Sequence, residues 1–139
     1  MTGNARTYLI LDNTDGAILA YFSITFKELI LDGAKLAKAE VRRMDGIRRD
    51  AERIRAYLIG QLGKNAGIPN NRIRLADILE EIYSVISQAR ALIGGRIIFL
   101  ECEDDDRLIA LYQDYGFKLI ESEGEGSPRL RTMYTHITE

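Results

Sequence analysis

The sequence predicts a mixed α/β fold, a mostly antiparallel sheet containing one parallel βαβ step, built as a single domain over residues 1–139. Three observations predict it. The chain opens on two strand-like runs separated by a turn. A long stretch of apolar residues at helical spacing then lies between two apolar runs. The final third reads as a short helix followed by two more strands.

Taken in order, residues 7–11 (Thr-Tyr-Leu-Ile-Leu) form the first strand, and Asn13-Thr14-Asp15-Gly16 form a turn in which Gly16 is free to take positive φ. Residues 17–26 return as the second strand of an antiparallel hairpin. Residues 27–55 are dense in charge, with Lys27, Lys35, Lys38, Arg42, Arg43, Arg48, Arg49, Arg53 and Arg55 set against Glu28, Asp32, Glu40, Asp45, Asp50 and Glu52. Residues 34–43 have helical character, and Asp45-Gly46 divides the stretch as a turn. Two readings stand here: a solvated surface connection, or a basic patch for an anionic acceptor such as RNA.

Residues 57–62 form the third strand. The loop after it holds Gly63, Gly67 and Pro69, the last of which restricts the backbone. From Arg72 the apolar residues Ile73, Ala76, Ile78, Leu79, Ile82, Tyr83, Val85, Ile86 and Ala89 mark one wide face of a long helix that ends before Gly94-Gly95. The continuous apolar run in residues 96–102 reads as a strand buried on both faces. Strand, long helix and buried strand make a βαβ unit, whose two strands run parallel. Asp104, Asp105 and Asp106 precede Leu108, Ile109, Leu111 and Tyr112, a start signal for a short helix, because carboxylates accept the free N–H groups and oppose the positive dipole end. Gly116 ends that helix, residues 117–120 form a strand, residues 121–129 an exposed loop, and residues 130–137 a last strand hairpinned on the previous one.

The apolar fraction of 46% and charged fraction of 29% are those of an ordinary globular chain. A net charge of −2 argues against a surface that coats nucleic acid generally, though not against a local basic patch. Cys102 is the one cysteine, which excludes an internal disulfide and fits a reducing cytoplasm. No apolar run approaches the ~20 residues needed to cross a bilayer, so no membrane role is expected. His136 has no Cys or acid beside it in sequence, so no metal site is expected there. The three aspartates read as a cap rather than a divalent-ion site. Cys102 reads as a small buried strand residue rather than a nucleophile.

Residues 94–117, with Leu111-Tyr112-Gln113-Asp114-Tyr115-Gly116-Phe117 at their end, resemble the GNAT superfamily of acyl-CoA-dependent N-acetyltransferases, in which a buried strand leads to a short helix carrying Leu/Phe-Tyr-x-x-x-Gly-Phe. The element order extends the resemblance from about residue 7 to the last strand. It implies transfer of an acetyl group from acetyl-CoA, the co-substrate, to a primary amine. It implies that strands 57–62 and 96–102 splay apart, with the pantetheine arm on main-chain groups of Leu62, Gly63 and Lys64 and the pyrophosphate at the start of the long helix. Tyr112 takes the family's general-acid role, with Tyr115 as its substitute. Asp105 falls where many relatives carry an Asn that contacts the cofactor, and it also suits a helix cap. Glu101 and Glu103 are the visible candidates for a general base, with water as the alternative.

The family's phosphate loop reads Gln/Arg-x-x-Gly-x-Gly/Ala, whereas this chain has Asn70-Asn71-Arg72-Ile73-Arg74-Leu75, with larger residues at both glycine positions; a shift by one recovers only Ala76. Either Arg72 and Arg74 supply charge in a widened loop, or cofactor binding is weakened or lost. The family's first strand and helices have no counterpart before residue 7, so the hairpin, apolar on both faces, is expected to lie against another subunit or further chain. By analogy the chain resembles the toxin-like bacterial branch acting on aminoacyl-tRNA. The alternative is a degenerate, non-catalytic module serving as a binding or assembly domain.

Overall fold

The computed structural model describes residues 5–31, 33–121 and 130–137. The described elements are β1 (Arg6–Leu11), β2 (Ile18–Ile30), α1 (Lys38–Asp45), β3 (Arg53–Lys64), α2 (Leu75–Ile93), β4 (Ile97–Glu103), α3 (Asp106–Asp114), β5 (Lys118–Ile120) and β6 (Leu130–His136). The six strands form one sheet in the order β1-β2-β3-β4-β6-β5. The sheet is mostly antiparallel with one parallel pair, as the sequence predicts. The loop expected at residues 121–129 falls, beyond its first residue, outside the described residues.

The chain falls into two compact units. One comprises Met1–Thr25 and Ile59–Gly94, the other Phe26–Leu58 and Gly95–Glu139. In the first, β1 and β2 pair antiparallel with Tyr8 opposite Phe22 and Leu9 opposite Tyr21, and a bulge at Ile10/Leu11. The hairpin turn closes as its residues require. Asp12 Oδ1 accepts the Thr14 N–H at 2.8 Å, the Gly16 N–H donates to the Asp12 carbonyl at 2.9 Å, and Gly16 sits at φ 74°. One face of the hairpin carries Ala20, Phe22 and Ile24, all buried, with Tyr8 stacked on Phe22. The other face leaves Leu9, Leu11, Ile18 and Tyr21 between 38% and 56% exposed while Ser23 on it is buried, so both faces carry apolar residues and the second is covered only in part by the described residues. The long helix α2 buries Ile78, Leu79, Ile82 and Ile86 at i, i+1, i+4, i+8 spacing. It begins at Leu75 rather than Arg72, and Tyr83, counted in its apolar face from the sequence, is 38% exposed.

In the second unit Leu29, Leu31, Val41, Met44, Ile54, Ala56, Ile97, Phe99, Ile120 and Tyr134 form one buried cluster. Residues 27–55 are therefore not a mere surface connection. β2 runs on to Ile30, β3 begins at Arg53, and α1 covers Lys38–Asp45 and buries Val41 and Met44. The charged residues hide the strand because they alternate: Arg53 and Arg55 are exposed while Ile54 and Ala56 are buried. The expected Asp45-Gly46 turn ends α1, with Gly46 in the left-handed region at φ 98°. β6 lies between β4 and β5, pairing antiparallel with both, so the predicted final hairpin is present.

Candidate functional site

In the second unit the helix after β4 starts where its aspartates predict. Asp105 is the N-cap, and its Oδ1 accepts the Arg107 N–H at 2.9 Å and the Leu108 N–H at 3.5 Å. Of the two roles weighed for Asp105, the cap is the one its contacts fulfil. Two turns on, Tyr112 is half-buried, with its ring edge-on to Phe117 at 5.8 Å between centroids. The Tyr112 carbonyl accepts from Tyr115 N at 3.0 Å and Phe117 N at 3.1 Å, while Gly116 turns the chain at φ 91°. The Leu-Tyr-x-x-x-Gly-Phe spacing is thus a helix stop that folds Phe117 back beneath Tyr112. Burial, with the nearby Cys102 sulfur second, pushes the Tyr112 phenol above its ordinary value, so it carries its proton at neutral pH.

Cys102 is buried, and desolvation keeps its thiol above the usual value despite Arg131 nearby, as a small strand residue would be. Glu101 and Glu103 are exposed carboxylates on β4, opposite Thr132 and Leu130 of β6. Asp104 is held by Arg131 at 3.1 Å. No group of three or more His, Cys, Asp and Glu close enough to hold a metal ion occurs among the described residues.

The other predicted contact residues, Leu62, Gly63, Lys64 and 70–76, lie in the first unit. The loop after β3 is tied down by two asparagines. Asn65 Nδ2 donates to the Ile18 carbonyl and Asn71 Nδ2 to the Leu19 carbonyl, both at 2.8 Å. Lys64 Nζ donates to the Asn71 carbonyl at 2.8 Å, and Asn71 Oδ1 accepts the Ile73 N–H at 3.2 Å. Asn70 holds a left-handed conformation, φ 55°, which Asn tolerates better than most residues. Gly63 lies close against Tyr21: a Cβ there would meet the Tyr21 hydroxyl at 2.7 Å.

At the start of α2, Asp77 accepts the Arg74 N–H at 2.9 Å, and its carboxyl is held below the ordinary value first by that bond and then by the Arg74 guanidinium. Leu75 and Ala76 present the unbonded N–H groups that every helix start leaves, and the exposed Arg72 and Arg74 flank them. This end of α2 therefore mixes two cations and free donors with one acid that is already engaged.

A second constellation was invisible in the sequence. In the second unit Glu40 of α1 accepts from the Tyr134 hydroxyl, its Oε2 lies 3.1 Å from His136 Nε2, and Lys118 Nζ is 3.8 Å away. The acid partner that His136 lacks nearby in sequence comes from 96 residues away. Burial alone would raise the Glu40 carboxyl, but Tyr134, His136 and Lys118 outweigh it and leave it below its ordinary value. Tyr134 is pushed well above its ordinary value by burial and by Glu40, which fixes it as the donor.

No family model and no curated protein sequence matches the chain. Solved structures do match its fold. The toxin AtaT complexed with acetyl-methionyl-tRNAfMet superposes with a TM-score of 0.70 at 16% identity, over 96% of this chain and 71% of that one. A tyrosine-to-phenylalanine mutant of KacT gives 0.64 at 14% identity, over 93% and 70%. AtaTR bound with acetyl-CoA gives 0.62 at 15% identity, over 96% and 68%. At such identities the likeness defines the fold alone, a GNAT-like mixed α/β fold.

Proposed function

We propose that this protein is an acetyl-CoA-dependent N-acetyltransferase acting on a primary amine, with the amino group of an aminoacyl-tRNA as its acceptor class. The observation that carries the reading is Tyr112, a protonated, half-buried phenol set by the Gly116-Phe117 stop at the end of α3, in a chain with the fold of AtaT. Acetyl-CoA supplies an acetyl group on a thiol leaving group. Tyr112 Oη holds the proton that a departing thiolate takes up. The exposed Glu101 carboxylate, or water, accepts the proton that an ammonium must lose before its nitrogen can attack.

The residues of the first unit fit the anionic end of such a co-substrate. Leu75 and Ala76 offer N–H donors at the positive end of α2, and Arg72 and Arg74 add charge in a loop where larger residues, Ile73 and Leu75, stand at the family's glycine positions. Leu62, Gly63, Lys64, Asn70, Asn71 and Ile73 form the tied-down backbone beside them. The acceptor class is supported by the complex of AtaT with acetyl-methionyl-tRNAfMet. Tyr112→Phe tests the reading: acetyl transfer should fall while acetyl-CoA affinity, measured by calorimetry, stays.

A second reading, a non-catalytic module with this fold, is favoured by one feature: Asp77 places a carboxylate at the helix start that an anionic ligand would use. It predicts no heat of acetyl-CoA binding to the chain.

A further inference from the structure

Residues 35–55 carry eight Lys and Arg against four Asp and Glu, a balance of +4 in a chain whose total is −2. Folding gathers part of that excess. Lys38 and Arg42 stand one turn apart on α1, and Arg49 comes from the loop beyond Gly46. With Ile47 and Asp50 they line an open cavity of ≈ 360 Å³.

Three of the four neighbouring acids already have partners, Asp50 within the cavity wall itself. Glu40 is held by Tyr134, His136 and Lys118; Asp45 accepts the Ile47 and Arg48 N–H groups; Asp50 pairs with Arg48 at 3.3 Å. Lys38, Arg42 and Arg49 make no ion pair among the described residues, and all three are exposed. Ile47, 82% exposed, gives the cavity an apolar lip. A fourth cation stands against the same turn: a Cβ on Gly46 would meet the Arg96 guanidinium at 2.9 Å. Like charges converging on one cavity repel, and an anionic ligand removes that cost.

The size of the ligand follows from where the cavity sits. Arg96 immediately precedes β4, whereas α3 and Tyr112 follow the other end of that strand. The seven residues of β4 span roughly 20 Å. A small anion in the cavity would have no bearing on chemistry at Tyr112. A nucleic acid, stiff and charged at every nucleotide, reaches across that distance. Building on the reading of an RNA-borne acceptor, we infer that α1 and the loop 47–50 form a docking surface for the backbone phosphates of the acceptor RNA, remote from the reacting group. Arg42 and Arg49 present forks suited to phosphate oxygens, and Ile47 offers contact to a sugar or base.

The test uses the full chain and fluorescein-labelled unfractionated tRNA, followed by anisotropy between 50 and 200 mM KCl. Lys38→Ala/Arg42→Ala/Arg49→Ala is expected to weaken binding about tenfold or more at 100 mM and to flatten the log–log salt slope by about 2 to 3. Arg42→Lys/Arg49→Lys keeps the charge and is expected to keep the slope. In turnover, the triple variant should raise KM for aminoacyl-tRNA and leave kcat and the thermal midpoint unchanged. Wild-type affinity and slope in the triple variant overturn the docking surface. Polyglutamate competing better than tRNA for the same three cations overturns RNA in favour of an acidic protein partner. A chain that binds acetyl-CoA and acetylates a small amine but ignores tRNA overturns this inference and leaves the acetyltransferase standing. Loss of tRNA binding in the triple variant, in a chain that takes up no acetyl-CoA, upholds the surface and removes the enzyme.

Discussion

Tyr112 shows how much chemistry a single side chain draws from its surroundings. A phenol near pKa ~10 is a poor acid in water, and burial raises it further, so it is useful only as a proton donor to a strong base held close by. Tyr112→Phe removes that proton and keeps the ring against Phe117. Turnover is expected to fall roughly 100-fold, with the fold and acetyl-CoA affinity intact; wild-type turnover would move the proton to Tyr115 or water. Gly95 is the complementary case, in which the absence of a side chain is what matters. It sits at φ 112°, and a Cβ would lie 2.5 Å from the Tyr57 ring. Gly95→Ala combines backbone strain with a clash against a buried aromatic, so it should cost about 2 kcal/mol or more and lower the thermal midpoint by several degrees. An unchanged melting curve would show that the Tyr57 ring can move aside.

At the scale of elements, α1 is attached to its unit by both burial and charge. Val41 and Met44 enter the buried cluster, while Glu40 binds Tyr134 and His136 of β6 and faces Lys118 of β5. The pH dependence follows from the direction of the shift. Glu40 is depressed below 4.5, so the folded state binds this proton less readily than the unfolded chain. Its stabilisation is present above about pH 4.5 and is lost as pH falls through the lower folded value. Glu40→Gln keeps an acceptor for the Tyr134 hydroxyl but has no charge to lose. Thermal midpoints measured from pH 6 down to pH 3 should therefore fall less steeply in Glu40→Gln than in the wild type. Parallel curves would mean that α1 is held by its apolar face alone.

At the scale of the whole molecule, anything that binds only the folded chain stabilises it by mass action. On the proposed reading, acetyl-CoA at about 100 times its dissociation constant should add about 2.7 kcal/mol, a shift of several degrees in the melting midpoint for a chain of this size. Arg72→Ala/Arg74→Ala should cut that shift and weaken its dependence on salt, because both side chains are exposed and act through charge at the start of α2. A midpoint shift that survives the double substitution would place the pyrophosphate elsewhere.

The elements that were legible from the sequence are those whose signals are local. The Asn13–Gly16 turn, the periodic face of α2, the Asp105 cap and the Gly116-Phe117 stop each act within one or two turns of chain, so neighbouring residues suffice to specify them. Their order also gave the fold class. Other features depend on partners far away in the chain. The charged ends of β2 and β3 become strand because Leu29, Ile54 and Ala56 find a common core with Val41, Ile97 and Tyr134. Gly63 lies against the Tyr21 ring, 42 positions earlier. Glu40 meets His136 across 96 positions because α1 packs beside β6. Hydrophobic periodicity records whether a residue is buried, but not against what; that is decided by strand order and register, which exist only once the sheet has assembled.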